Sequence, residues 1–219
     1  VIYSAGSDLL ELINQLLDLA KIESGKVEVL SDLVNTETLL QNLENLFKQT
    51  AKQKNIQFNT QSVEFPKTFI SDEYRLEQVL KNFLSNAFKF TSANGRITLE
   101  LKRHEEQLLF SVKDTGKGIP PEKRQLIFEA FRQEDGSTSR KYGGTGLGLS
   151  ISLEIAALLG GKIHLESELD KGSIFTLSIP LQTEVSDIME PREKVHSVME
   201  VLPKLVTTDA PETIEKVAS

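Results

Sequence analysis

Three groups of residues have types and spacings that can do chemistry. Asn82, Asn86 and Lys89, followed by Phe90, fall at intervals of four and three, which puts the three polar side chains on one helix face. Side-chain amides are neutral oxygen donors suited to a hard cation such as Mg²⁺, and a lysine beside them can meet phosphate. The plain alternative is a solvated polar face. The second group, Asp114-Thr115-Gly116-Lys117-Gly118-Ile119-Pro120, follows a strand pattern. Its glycines let backbone approach a ligand closely, and a carboxylate at a strand end can accept a hydrogen bond from an exocyclic amine; the alternative is an ordinary acidic turn. The third, Gly143-Gly144-Thr145-Gly146-Leu147-Gly148-Leu149, opens a helix pattern with Arg140 and Lys141 just before it. Free N–H groups and the helix dipole at such a start both favour an anion.

Context rejects two better-known phosphate motifs. A Walker A loop needs Ser or Thr after Gly-Lys and an upstream glycine, whereas Lys117 is followed by Gly118. A Rossmann fingerprint must follow a strand immediately. The glycines here follow the polar stretch Gln133 to Tyr142, even though Glu166 stands 20 residues beyond Gly146.

The elements that position these groups can be read from hydrophobic spacing. Residues 72–90 form the clearest helix, with Leu76, Val79, Leu80, Phe83, Leu84 and Ala87 on one stripe. Residues 1–24 also read as a helix, through Leu9, Ile13, Leu16 and Ala20, widened by Leu10, Leu12, Leu17 and Leu19. So broad a stripe suggests burial on both flanks, as in a helical bundle. Val27 and Val29 alternate as in a short strand, residues 36–54 are helical, and Ile56 and Phe58 suggest another strand. Ile97, Leu99 and Leu101, then Leu108, Phe110 and Val112, form a hairpin around His104–Gln107. Residues 114–146 are a long Gly-, Pro- and Ser/Thr-rich loop, and loops of this length are often functional. A helix over 147–159 and strands near 163–167 and 173–179 complete the pattern. Beyond Pro180, residues 182–219 lack Gly, Phe and Tyr and read as a linker or frayed helix.

Composition bounds the function. The chain has 219 residues and a net charge of −7, an acidic balance that argues against a duplex nucleic-acid partner. There is no cysteine, which excludes disulfide scaffolds, thiolate zinc sites and cysteine nucleophiles. The three histidines, His104, His164 and His196, are far apart, so a His-rich metal site is not expected. No apolar run approaches the ~18 residues of a membrane span. The opening at Val1 rather than Met reads as a piece of a longer protein.

Taken in order, NFLSNAFKFT (82–91), DTGKGIP (114–120), FEAFRQ (128–133) and GGTGLGLSI (143–151) resemble the catalytic ATP-binding domain of sensor histidine kinases. These belong to a wider group with DNA gyrase, the heat-shock chaperone of that group and the mismatch-repair ATPases. The resemblance covers about residues 1–181. It implies an α+β fold, a two-layer sandwich of Bergerat type with a mixed, mainly antiparallel sheet, helices on one face and a flexible ATP lid. Residues 1–25 would be the second helix of the dimerisation and phosphotransfer bundle, 26–181 the catalytic domain, and 182–219 an acidic linker of the kind that leads to a receiver domain in a hybrid kinase.

The resemblance also implies roles. Asn86 would ligate Mg²⁺ at the phosphates of ATP or ADP, with Asn82 supporting it directly or through water. Lys89 would contact phosphate, so that Asn82, Asn86 and Lys89 form the catalytic set. Phe90 would pack at the adenine edge. Asp114 would accept from the adenine amino group, with Gly116, Gly118 and Ile119 shaping the pocket. Phe128 and Phe131 would anchor the lid; Arg132, Arg140 or Lys141 would reach the γ-phosphate; and Thr145, Gly146, Leu147 and Gly148 would present backbone to the phosphates. Expected partners are a second copy, through the N-terminal helix, and a response-regulator receiver domain, with no nucleic acid and no direct membrane contact. The expected location is cytoplasmic, with room for a parent anchored in the inner membrane.

One departure matters. The family's phosphoacceptor histidine sits on the first bundle helix in a Ser-His-Glu-hydrophobic-Arg setting. The only His-Glu pair here, His104-Glu105, lies in a hairpin turn, His164 is expected to face solvent from a strand, and His196 belongs to the tail. The acceptor is therefore expected outside this chain. Two competing readings remain: a degenerate nucleotide-binding regulatory module, and a conformational ATPase like the gyrase and chaperone relatives. Those ATPases use a glutamate general base where this sequence has Asn82, and an amide cannot take a proton from water.

Overall fold

The computed structural model describes residues 27–130 and 146–182, the backbone of Met199–Glu200, and individual helical positions between Gly6 and Ser24. In that N-terminal segment Ile22 is buried in the core, whereas Leu10, Ile13, Leu16 and Leu17 are exposed. Among the described apolar residues of this segment, only Ile22, near its C-terminal end, reaches the core. Polar contacts add to that attachment: Gln78 Nε2 donates to Asp18 Oδ2 at 3.3 Å, and Arg75 Nη1 lies 4.0 Å from the same oxygen.

Strand β1 (Asp32–Asn35) leads into helix α1 (Thr36–Lys54), capped by Asn35 Oδ1 accepting from the Thr38 N–H. The helix ends at Asn55 in the left-handed region, with Lys52 and Lys54 suiting its negative end. Strands β2 (Gln57–Val63) and β3 (Thr68–Ser71) follow, then α2 (Glu73–Phe90). Asp72 caps α2 by accepting from the Arg75 N–H at 3.0 Å, and its other oxygen accepts from the Leu30 N–H, also at 3.0 Å. The stripe from Leu76 to Ala87 is buried as its spacing requires, and truncating one of these large side chains to Ala would cost about 2–5 kcal/mol.

Strands β4 (Arg96–His104) and β5 (Gln107–Asp114), helix α3 (Gly148–Leu158), and strands β6 (Lys162–Glu168) and β7 (Gly172–Pro180) complete the body. The main sheet runs β2-β4-β5-β7-β6, with a two-residue strand described below added in parallel at the β6 edge; among the five long strands β2 is parallel to β4 and the other pairs are antiparallel, and β1 and β3 form a separate antiparallel pair. Ile97, Leu99, Leu101, Leu108, Phe110, Val112, Ile163, Leu165, Phe175, Leu177 and Ile179 alternate onto one buried face, against which α2 and α3 pack. This is the mixed, mainly antiparallel two-layer α+β architecture that the family resemblance implied. Phe83 of α2 meets Phe175 of β7 at 5.3 Å, and Phe128, in a short 3₁₀ turn (Leu126–Phe128), meets Phe175 at 6.4 Å.

Four local readings change. Val27 and Val29 are not in a strand; they pack half-buried on the core. The backbone just beyond them bonds the Asp72 carboxylate rather than a neighbouring strand, and pairing starts only at Asp32. β3 has no counterpart in the hydrophobic pattern, because it is four residues long and its partner β1 lies more than thirty positions upstream. His164 is half-buried rather than solvent-facing: Nε2 lies 3.3 Å from Ser178 Oγ, and Nδ1 is buried with no hydrogen-bond partner among the described residues. Within the expected linker, the backbone of β8 (Met199–Glu200) pairs in parallel with Ile163 and His164. The other residues beyond 182 lie outside the described set.

Candidate functional site

The face of α2 opposite its buried stripe carries Asn82, Asn86 and Lys89, all half-buried. Asn82 Nδ2 donates to Ser152 Oγ of α3 at 2.8 Å, and Asn86 Nδ2 donates to Asn82 Oδ1 at 3.4 Å. A Cβ at Gly148 would lie 2.3 Å from Asn82 Oδ1, so only glycine lets the start of α3 come this close to the amide. Asn82 therefore bridges the two helices, and the pairing between the amides commits Asn86 Nδ2 while its carbonyl oxygen remains an acceptor. Among the described residues no side chain caps α3. Ser150 and Ser152 hydroxyls instead donate back to the carbonyls of Leu147 and Gly148, at 2.8 and 2.9 Å. A helix start without a side-chain cap meets the condition for an anion site at its first-turn N–H groups.

The Asp114 loop is built from backbone. Asp114 ends β5 and is 7% exposed. Gly116 N–H donates to its Oδ1 at 2.7 Å. Burial raises the carboxyl above the usual carboxylate range, an effect opposed by the Gly116 and Ser173 backbone N–H groups. A Cβ at Gly116 would lie 2.5 Å from the Phe90 carbonyl oxygen, and Gly118, with φ of +66°, sits against the Glu168 carbonyl. Ile119 N–H donates to Ser167 Oγ at 2.8 Å.

Phe90 lies between the two regions. The Lys89 and Lys117 ammonium groups stand 5.2 and 4.7 Å from its ring centroid. Burial, and then the charge of Lys117, lowers the pKa of Lys89. The Lys117 N–H also donates to the Phe90 carbonyl at 3.4 Å.

Among the expected site residues, Asn82, Asn86, Lys89 and Phe90 share the C-terminal half of α2. Asp114, Gly116, Gly118 and Ile119 share one loop held against the Phe90 carbonyl. Gly146 has φ of +73°, Leu147 is buried, and Gly148 meets Asn82. Phe128 is buried against Phe175. Phe131, Arg132, Arg140, Lys141 and Thr145 lie outside the described residues. Sequence reasoning missed Ser152, which holds Asn82, and the β6–β7 turn, where a Cβ at Gly172 would lie 2.0 Å from the Asp114 carbonyl oxygen. No spacing rule connects positions 58 residues apart; the only signal was a glycine at the start of a strand pattern.

Among the described residues no group of three His, Cys, Asp or Glu side chains could hold a metal ion, and no helix is long and apolar enough to cross a membrane. The Asn82–Asn86 face offers two neutral amide groups. That set suits a cation that draws most of its ligands from phosphate and water, as Mg²⁺ does.

Comparisons with known proteins agree with this geometry. The profile of the histidine kinase-, DNA gyrase B-, and HSP90-like ATPase family matches residues 71–183. The circadian input-output histidine kinase CikA of Synechococcus elongatus is 39% identical over 199 residues, covering 90% of this chain and 26% of CikA. The autoinducer 2 sensor kinase/phosphatase LuxQ of Vibrio vulnificus is 39% identical over 189 residues, covering 83% of this chain and 22% of LuxQ. The chain thus spans about a quarter of the length of these curated relatives. Full-length ShkA, solved in complex with AMPPNP, superposes with a TM-score of 0.74 at 35% identity, over 83% of this chain and 37% of ShkA. The histidine kinase ThkA, solved in complex with the response regulator protein TrrA, gives 0.66 at 27% identity, over 83% of this chain and 49% of ThkA. With the family's profile spanning more than half of its residues, and with an Asn-bearing helix, a buried strand-end aspartate and a glycine-led helix placed as described, the chain belongs to the histidine kinase-, DNA gyrase B-, and HSP90-like ATPase family.

Proposed function

We propose that residues 26–181 form the ATP-binding catalytic domain of a two-component sensor histidine kinase, which transfers the γ-phosphoryl group of ATP to a bundle histidine for relay to a response-regulator aspartate. The observation that carries this reading is Asn82, a neutral amide wedged between α2 and the start of α3. An amide orients and donates but cannot act as general base toward water, which disfavours the hydrolytic chemistry of the gyrase-like relatives. Phosphoryl transfer needs mainly positioning and charge stabilisation.

In this assignment the Asp114 carboxylate accepts from the adenine amino group, Phe90 lies at the base edge, and Gly116, Gly118 and Ile119 bring backbone to the base. Lys89, with Arg132, Arg140 or Lys141, neutralises phosphate, and the first turn of α3 offers N–H groups to the phosphate oxygens. Phe128 and Phe131 anchor the lid. Asn86, supported by Asn82, would hold Mg²⁺, which when bound neutralises charge on the phosphates. None of His104, His164 or His196 is the phosphoacceptor; it belongs to the bundle of the parent protein. Residues 1–25 supply one helix of that bundle and mediate homodimerisation, and 182–219 act as a linker to a receiver domain. The location is cytoplasmic. The names of CikA and LuxQ and the nucleotide and response-regulator complexes of ShkA and ThkA support the kinase, nucleotide and response-regulator parts of this reading.

Calorimetry with ADP and AMPPNP, each with and without Mg²⁺, tests the pocket; adenine-selective, Mg²⁺-sensitive binding is expected. Labelling a separately supplied bundle hairpin from radiolabelled ATP then tests transfer. Failure of a folded chain to bind either nucleotide would put the regulatory-module reading first. Steady ATP hydrolysis without transfer would favour the ATPase. Leu16→Lys is expected to weaken self-association, and an unaltered sedimentation profile would remove the helix as an interface.

A further inference from the structure

One hydroxyl of the β6–β7 turn sits at the centre of its contacts with the Asp114 loop. Ser167, half-buried near the end of β6, faces Ser173 across the ladder. Its Oγ accepts from the Ile119 N–H at 2.8 Å, donates to the Gly172 carbonyl at 2.9 Å and lies 2.9 Å from Ser173 Oγ. A hydroxyl has one proton and two lone pairs. With the proton on the Gly172 carbonyl and one lone pair taken by Ile119, Ser173 must donate in the third contact. Every bonding capacity of Ser167 Oγ is then used.

The same hub reaches the carboxylate. Ser173 is buried and gives its backbone N–H to Asp114. Arg124 ties the far side, its guanidinium donating to the Ser167 carbonyl and, at 3.4 Å, to the Ile119 carbonyl. The Asp170 N–H donates to the Lys117 carbonyl at 2.7 Å. Backbone packing leaves no slack: a Cβ at Gly118 would lie 2.0 Å from the Glu168 carbonyl oxygen, and one at Gly172 equally close to that of Asp114. The loop cannot shift without breaking a contact to this turn.

We propose that Ser167 is a positioning residue for base recognition, setting the placement of the Asp114 carboxylate relative to the Gly118–Ile119 backbone. An acceptor held this firmly takes a purine that presents an amino group at C6 and rejects one that presents a carbonyl oxygen there, because the two oxygens repel and neither finds a proton. The inference rests on the reading of Asp114 as the base acceptor. Ser167 itself acts through Asp114 and Ile119.

The test is calorimetry of ADP and GDP, with Mg²⁺, on the full chain and on Ser167→Ala and Ser167→Thr, alongside thermal unfolding. Ser167→Ala is expected to lower the ADP-over-GDP preference about tenfold, the scale of removing one neutral hydrogen bond. Ser167→Thr, which keeps the hydroxyl, is expected to restore most of it. A merely structural serine would weaken both nucleotides together, and an unchanged ratio would overturn the proposal. Should Ser167→Ala not fold, Ser173→Ala removes the donor in the third contact and must also lower the ratio; an unchanged ratio there overturns the proposal equally. Absence of any ADP preference in the unsubstituted chain would instead remove the base-acceptor role of Asp114, a distinguishable failure.

Discussion

At the Asp114 loop the closest approaches are backbone to backbone; on the Asn82–Asn86 face side chains meet side chains and the backbone of Gly148. The loop is held by the Phe90 carbonyl on one side and by the β6–β7 turn on the other, with glycines at the tightest backbone approaches. On the helix face, Asn82 is held by Ser152 and pressed on Gly148, while Asn86 reaches Asn82 at a long 3.4 Å. The first region is set before any ligand arrives, which lowers the ordering cost of recognising a flat, invariant base. The second keeps amide oxygens and helix N–H groups that can adjust as phosphates and a cation enter.

The largest expected effect breaks the preset end. Asp114→Ala should weaken ADP binding by on the order of 100-fold, the scale of removing a hydrogen bond to a charged group, with the unfolding temperature little changed; unaltered affinity by calorimetry would remove the base-acceptor role. Acidity sharpens the point. The Asp114 carboxyl holds its proton more tightly folded than unfolded, so between the ordinary value of 3.8 and the raised one the folded chain carries more protons. Its contribution to stability therefore falls as pH rises through that window. ADP affinity runs the other way and rises, because the ionised carboxylate is the stronger acceptor. Asp114→Asn should flatten both dependences; an acid limb of affinity that persists in this variant would assign the titration to another group.

Two glycine substitutions compare the regions directly. At Gly172, φ is +108° and a Cβ would strike the Asp114 carbonyl, which is backbone that cannot rotate away. At Gly148 the obstacle is the Asn82 carboxamide, which can. Gly172→Ala should therefore destabilise the fold by about 3 kcal/mol or more and Gly148→Ala by about 1–2 kcal/mol. Gly148→Ala should also weaken nucleotide binding through the phosphates while leaving adenosine unaffected. Equal losses of stability in chemical denaturation would mean that the two ends are equally rigid.

The same contrast explains what could be read from the chain. The α2 stripe and the β4–β5 hairpin were legible because their periodicity is local and each buries one face. Asn82, Asn86 and Asp114 stood out by residue type and spacing. Ser152, Ser167 and Gly172 did not, since their roles depend on which strand end the topology places beside which loop. β3 escaped for the same reason, having too few residues to show a period, and Val27 and Val29 misled because a half-buried linker can alternate like a strand.

A smaller effect separates metal from phosphate. Asn86→Ala should reduce the Mg²⁺ enhancement of AMPPNP affinity about tenfold while leaving Mg²⁺-free ADP binding within about twofold, the scale of removing one of few protein ligands to a cation that keeps its waters. A retained enhancement in titrations with and without Mg²⁺ would place the cation elsewhere.

The smallest effect probes the seam between the two regions. Lys89 belongs to the adjustable helix face and Lys117 to the preset loop, and both ammonium groups lie over the Phe90 ring. Burial is the larger cause of the lowered Lys89 pKa, and the Lys117 charge the smaller. Lys117→Met should therefore raise the Lys89 pKa only part of the way back. The alkaline limit of phosphate-dependent binding then moves to higher pH, while affinity at neutral pH changes by about twofold, the scale of a single exposed cation–π interaction. Titrating AMPPNP affinity against pH in both chains checks this. An unmoved alkaline limit would show that the loop and the helix face do not communicate through charge, and that Phe90 joins them by packing alone.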